Sequence, residues 1–159
     1  MTVLTVSLAA ADLGKRIQDR LRGLTAGTAK TVLWQRQTDR VLVHVDSFRS
    51  RIVGGWLLCS LDLQADETGR QTLQFVFFLG GPDSGLQAGA TINAVSPQAS
   101  QLAELWGKDI QRVIWDAVLD AIEAALARAA TRQAGAAVTL QGFHATTDTF
   151  AADVIVGAT

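Results

Sequence analysis

Residues 56–79 read WLLCSLDLQADETGRQTLQFVFFL, and their alternation decides the fold. Two apolar runs flank Asp66, Glu67, Thr68 and Gly69. Side chains two apart on a pleated strand point to the same side. Leu57, Cys59, Leu61 and Leu63 therefore share one side of the first run, as Leu73, Phe75, Phe77 and Leu79 do on the second. Gly69 suits a left-handed turn position, so the two runs read as an antiparallel hairpin. The opposite side is apolar only at its open end, where Trp56, Leu58, Val76 and Phe78 stand. Toward the turn it becomes Asp62, Gln64, Thr72 and Gln74. One side is core; the other is half covered and half wet.

The period of two extends upstream. Residues 2–8 alternate, with Leu4, Val6 and Leu8 against Thr5 and Ser7, and read as a strand rather than a short leader core. Val32, Trp34 and Arg36 share one side of another strand, and Gln37, Thr38 and Asp39 read as a turn. Val41, Val43 and Val45 then alternate with Leu42, His44 and Asp46. Residues 47–51 show no clear period, and Gly54 with Gly55 reads as a bulge or bend. Between these strands, Leu13, Ile17, Leu21 and Leu24 recur at helical spacing, which predicts a helix over 11–23 stopped by Gly23. Its other face, with Lys15, Arg16, Arg20 and Arg22, reads as solvated.

Downstream, residues 80–85 form a Gly-rich turn and 90–95 a short strand. Ser96 and Pro97 open the longest helix as cap and first-turn residue, and it runs to about Arg132, with Gly135 as a stop. Residues 137–144 and 150–157 read as a closing hairpin. A straight helix over 98–131 would span roughly 51 Å, against a diameter near 40 Å for a chain of this length. Asp109, Arg112, Asp116, Asp120 and Glu123 lie within an arc of about 80°, and at that phase Leu102 and Leu105 would fall among these charges. A break at Gly107 removes both conflicts. The rest of this helix is so apolar that a curved sheet, other segments or a second copy must wrap it.

These elements predict a single α+β domain over 1–159. An antiparallel sheet of about six to seven strands packs on one long helix kinked near Gly107, with the N-terminal helix at an edge or on the other face.

The chain has 159 residues, 48% hydrophobic and 18% charged, and a net charge of −1, so it can bury a core, and its bulk charge does not point to nucleic acid. One cysteine excludes a disulfide scaffold and a cysteine-based zinc site. No run approaches the ~18–20 apolar residues of a membrane helix, and the expected location is the cytoplasm. The excess of Arg over Lys and the abundant Ala suggest a GC-rich bacterial source. Basic side chains concentrate in residues 1–60 and acidic ones in 61–159, as two attracting halves of one fold or complementary subunit contacts would have them. Trp34 and Phe48 stand among Arg36, Arg40, Arg49 and Arg51, a pattern that can bind single strands only if the rings face outward.

Chemical candidates are few. His44 and Asp46 share a strand side, the arrangement of an acid–base pair or two metal ligands, with Asp62 and His144 as potential neighbours. No third ligand has a telling spacing, so these residues read as structural. Ser47, Ser50 and Ser60 lie in no G-x-S-x-G elbow, and no phosphate-binding glycine motif occurs. Gly80, Gly81 and Gly85 surround Asp83 with no lysine nearby and read as a turn rather than an anion nest. Cys59 reads as a small core residue.

Three functional expectations follow; no cofactor is expected, and a metal only in the third. The first is a non-enzymatic interaction or assembly protein, a homodimer joined through Trp56, Leu58, Val76 and Phe78 or through the helix flank at Trp115 and Leu119. The second is a carrier of a hydrophobic small molecule between helix and sheet, lined by Trp56, Phe75, Phe77, Trp106 and Trp115. The third is an enzyme or metal site using His44 and Asp46.

Overall fold

The strict alternations of the sequence become strands, and the segments with helical spacing become helices. The computed structural model describes residues 2–23, 29–79, 89–132, 138–146 and 148–157. Its elements are β1 (Thr2–Ala9), α1 (Ala10–Leu21), β2 (Thr31–Arg36), β3 (Asp39–Val53), β4 (Trp56–Ala65), β5 (Gly69–Phe78) and β6 (Gly89–Asn93), then α2 (Pro97–Leu102), a π turn (Ala103–Gly107), α3 (Lys108–Arg132), β7 (Val138–Thr146) and β8 (Thr149–Val156). The protein is α+β and its strands pair antiparallel. The strands number eight among the described residues and divide between two sheets, ordered β2-β3-β4-β5-β6 and β1-β8-β7, where a single sheet of six or seven was expected. The division comes from a pairing of the two chain ends, Leu4 opposite Val154 and Leu8 opposite Phe150. Alternation within a strand specifies its sides but not so distant a partner.

The central hairpin has the register its pattern requires. Leu57 faces Phe77, Cys59 faces Phe75 and Leu61 faces Leu73, all on the buried side. Gly69 has φ +68° at the turn. Gly54 and Gly55 are the centre of a second two-residue hairpin turn, not a bulge: both have positive φ, and Val53 pairs with Trp56 across them. Two left-handed residues match the twist of the flanking strands, and glycine reaches that region without strain.

The helices cover the inner side of the five-stranded sheet. Leu13, Ile17 and Leu21 of α1 join Val43, Phe75 and Ile114 in one core cluster, so α1 lies beside α3 and not on the other face. Gln18 of α1 donates to the Val45 carbonyl at 3.3 Å. Trp115 of α3 stacks on Phe77, while Ala117, Ala121, Ala125 and Ala129 form a buried row of small side chains. Such a row lets neighbouring backbones approach α3 closely. The helix is therefore packed from within the chain by α1 and the three-stranded sheet, and Trp115 reaches Phe77 of the five-stranded sheet.

The start of the long helix follows from its sequence. The Ser96 hydroxyl accepts the Ala99 amide at 3.0 Å, and Pro97 occupies the first turn. The π turn, which ends at Gly107, resolves the phase conflict for Leu102 but not for Leu105. One extra residue in the helical ladder rotates the faces on either side of it. Leu102 is thereby buried; Leu105 remains exposed. Gly107 also faces β6: a Cβ there would stand 2.7 Å from Ile92 Cδ1.

The uneven charge distribution becomes tertiary contact. Arg20 pairs with Asp120, Arg36 with Asp109 and Arg40 with Asp66, each joining the basic first part of the chain to the acidic remainder. Phe48 is buried and Trp34 packs on the core, so neither ring stands free among the arginines as a stacking platform. Among the described residues, no helix is long and apolar enough to cross a membrane.

Candidate functional site

Register defines the outer face of the five-stranded sheet. At one end Val53 of β3, Trp56 of β4 and Phe78 of β5 lie side by side, with Arg51, Leu58 and Val76 in the next row. The rings of Trp56 and Phe78 are 4.9 Å apart, tilted by 58°. Trp56 is 44% exposed and Val53 46%, while Leu58, Val76 and Phe78 are half-buried. Their immediate neighbours in sequence, Leu57, Phe75 and Phe77, point inward and are buried. The patch is thus a true second face of the strands whose inner face carries the core.

Next to this patch is a depression of about 260 Å³, bordered by Arg49, Arg51, Leu58, Ser60, Gln74 and Val76. Arg49 donates to the carbonyls of Asp46 and Phe48. The Arg51 side chain forms no hydrogen bond or ion pair with another described residue, while its backbone belongs to the β3–β4 ladder. The face therefore joins an aromatic and aliphatic end to a polar band.

His44 and Asp46 lie beyond that band, and the structure brings them into no joint site. The His44 ring Nε2 lies 2.9 Å from Gln64 Oε1. Asp46 is exposed, and its amide donates to the Lys30 carbonyl. Asp62, opposite His44, already accepts from Arg70 at 2.9 Å and from Thr72 at 2.6 Å. His144 is on β7, but its side chain lies outside the described residues. Among the described residues, no three His, Cys, Asp or Glu side chains gather in a metal-ligating group.

Residues 47–51, without a readable period, belong to β3 itself. The strand advances from His44 to Arg49 while its partner retreats only from Asp62 to Ser60, which makes a bulge. Ser47 fills it: its hydroxyl accepts the Asp62 amide at 2.8 Å and donates to the His44 carbonyl at 2.6 Å. The bulge turns Arg49, Arg51 and Val53 to the outer face and Phe48, Ser50 and Ile52 inward. It thereby builds the arginine side of the patch, which no single-strand alternation could reveal.

Of the five residues expected to line a ligand pocket, Phe77 and Trp115 border a common groove and the other three do not line it. Phe75, Phe77 and Trp106 are buried in the core, and Trp56 lies on the opposite face of the sheet. Trp115 is half-buried with its ring 6.0 Å from that of Phe77 and nearly parallel to it. Leu119, 38% exposed, marks the open flank of α3. The thiol of Cys59 is buried on the inner face, and desolvation pushes its pKa up, which keeps it protonated and unreactive. Residues 80–85, expected to form a turn, lie outside the described residues. Comparisons with protein-family models, with curated proteins and with solved structures return no match to this chain.

Proposed function

We propose that this chain is a non-enzymatic assembly protein that works as a homodimer, joined through the outer face of its five-stranded sheet around Trp56 and Phe78. The observation that carries this reading is the aromatic pair of exposed Trp56 and half-buried Phe78 on a face that continues into Val53, Leu58 and Val76. Contiguous apolar patches of this kind on soluble chains mark contact surfaces. α1 packs on the inner side with α3, so it does not supply the cover. A two-fold axis sets like against like, and Trp56, Phe78, Leu58 and Val76 carry no charge to repel a second copy. Full burial of each large side chain contributes about 1.5–3 kcal/mol. The flank at Trp115 and Leu119 is the weaker choice, because Trp115 already packs on Phe77.

Trp56→Glu tests this reading. The expected result is a monomer with an unchanged circular dichroism spectrum, since the side chain is exposed in the single chain. A variant that keeps the mass of the parent assembly overturns the assignment of the interface.

A further inference from the structure

A second concave surface lies on the other side of β5. The first turns of α3 and the start of β6 enclose a groove of about 390 Å³, within the size range of small-molecule sites. Its apolar wall is the Phe77–Trp115 stack, with Gly89 and Ala90 opposite. Gly89 has no side chain and Ala90 only a methyl group, so β6 leaves the space open. The rim is cationic. Lys108 and Arg112 are one helical turn apart, with Gln111 between them, and all three border the groove. Both cations are exposed, and neither has an ion-pair partner among the described residues. The nearest acid in sequence, Asp109, is held by Arg36 at 2.7 Å. Two unneutralised cations over an aromatic wall form a surface complementary to a molecule with a hydrocarbon body and one anionic end.

We propose that this groove binds a small hydrophobic carboxylate, its hydrocarbon against Trp115, which Phe77 backs from within the core, and its carboxylate between Lys108 and Arg112. The apolar wall supplies the burial and the cations select the charged head. An arginine receives a carboxylate through two parallel N–H···O bonds, which a neutral alcohol cannot match. This site is on the face of the sheet opposite the proposed dimer surface, so it stands or falls separately from that reading.

Displacement of a fluorescent aromatic sulfonate, anilinonaphthalene sulfonate, by decanoate and by decanol tests the proposal. Decanoate is expected to displace the probe at a stoichiometric ratio, and decanol at least about tenfold less effectively. Charge removal at exposed positions, Lys108→Gln with Arg112→Gln, should weaken decanoate about tenfold or more while thermal stability and oligomeric mass stay as in the parent. Equal displacement by acid and alcohol would overturn the proposal, as would decanoate affinity unchanged in the double variant. Absence of saturable probe binding and of any decanoate effect on thermal stability would overturn it equally.

Discussion

Ile92 of β6 reaches over Gly107 so closely that a Cβ on the glycine would stand 2.7 Å from the isoleucine Cδ1. This contact locks the short edge strand to the helix at the end of the π turn. A methyl group at position 107 can be met by rotation of the Ile92 tip, at a cost of order 0.5–1.5 kcal/mol. Alanine also gains about 0.5–1 kcal/mol of helix stability over glycine. Gly107→Ala is therefore expected to lie within about 1 kcal/mol of the parent in urea unfolding. Gly107→Leu has no room and should lose about 1–3 kcal/mol or more, with accelerated amide exchange in β6.

Ser47 is the pin of the β3 bulge. Ser47→Ala removes the acceptor of the Asp62 amide and the donor to the His44 carbonyl together. Unfolding should become easier by about 1–3 kcal/mol, the cost of groups left unpaired in a partly buried place. His44→Ala, which loses only a contact with Gln64, should cost less than Ser47→Ala in the same measurement.

Arg36 clamps the end of β2 to the π turn. Its guanidinium donates to Asp109 Oδ2 and to the Leu105 carbonyl, both at 2.7 Å, and lies 4.7 Å from the centre of the Trp106 ring. Arg36→Ala should lower stability by about 1–2 kcal/mol, the ring contact supplying ~0.5–1 and the exposed ion pair less than ~1. Salt should weaken the parent more than the variant, because only the ionic part is screened.

Cys59 gives a pH-dependent prediction. Its thiol is 3% exposed, and burial raises its pKa above the ordinary value of 9.0. Below pH 9 the thiol is protonated in both folded and unfolded chains and contributes no slope. Above it the unfolded chain releases this proton and the folded chain does not. Stability should then fall by up to about 1.4 kcal/mol per pH unit from this group. Cys59→Ser should flatten that part of the profile. Alkylation of the native thiol at pH 8 should be slow and speed up sharply in denaturant.

Much of the fold was legible in side-chain period. The hairpin register from Leu57 to Phe77, the left-handed Gly69 and the Ser96 cap follow from local chemistry. The place of the π turn was legible because the charges from Asp109 onward and the leucines before Gly107 disagree in phase, but the helical run continues through Gly107 where a break was expected. The separate three-stranded sheet was not, because its pairing of Leu4 with Val154 is a long-range choice. Nor was the bulge, whose residues have period only when Ser47 is recognised as a substitute for ladder hydrogen bonds. For the candidate site, the patch of Trp56, Leu58, Val76 and Phe78 was readable from the strand's second face. The neighbouring Arg49 and Arg51, and the rim of Lys108 and Arg112, depend on tertiary placement and carry no local signature.

The central claim is that a second copy covers the Trp56 and Phe78 face. Light scattering during gel filtration of the parent chain at micromolar concentration tests it most directly. The account predicts a mass of about 34 kDa, twice that of the 16.9 kDa chain. A single species at 16.9 kDa across the micromolar range would contradict it.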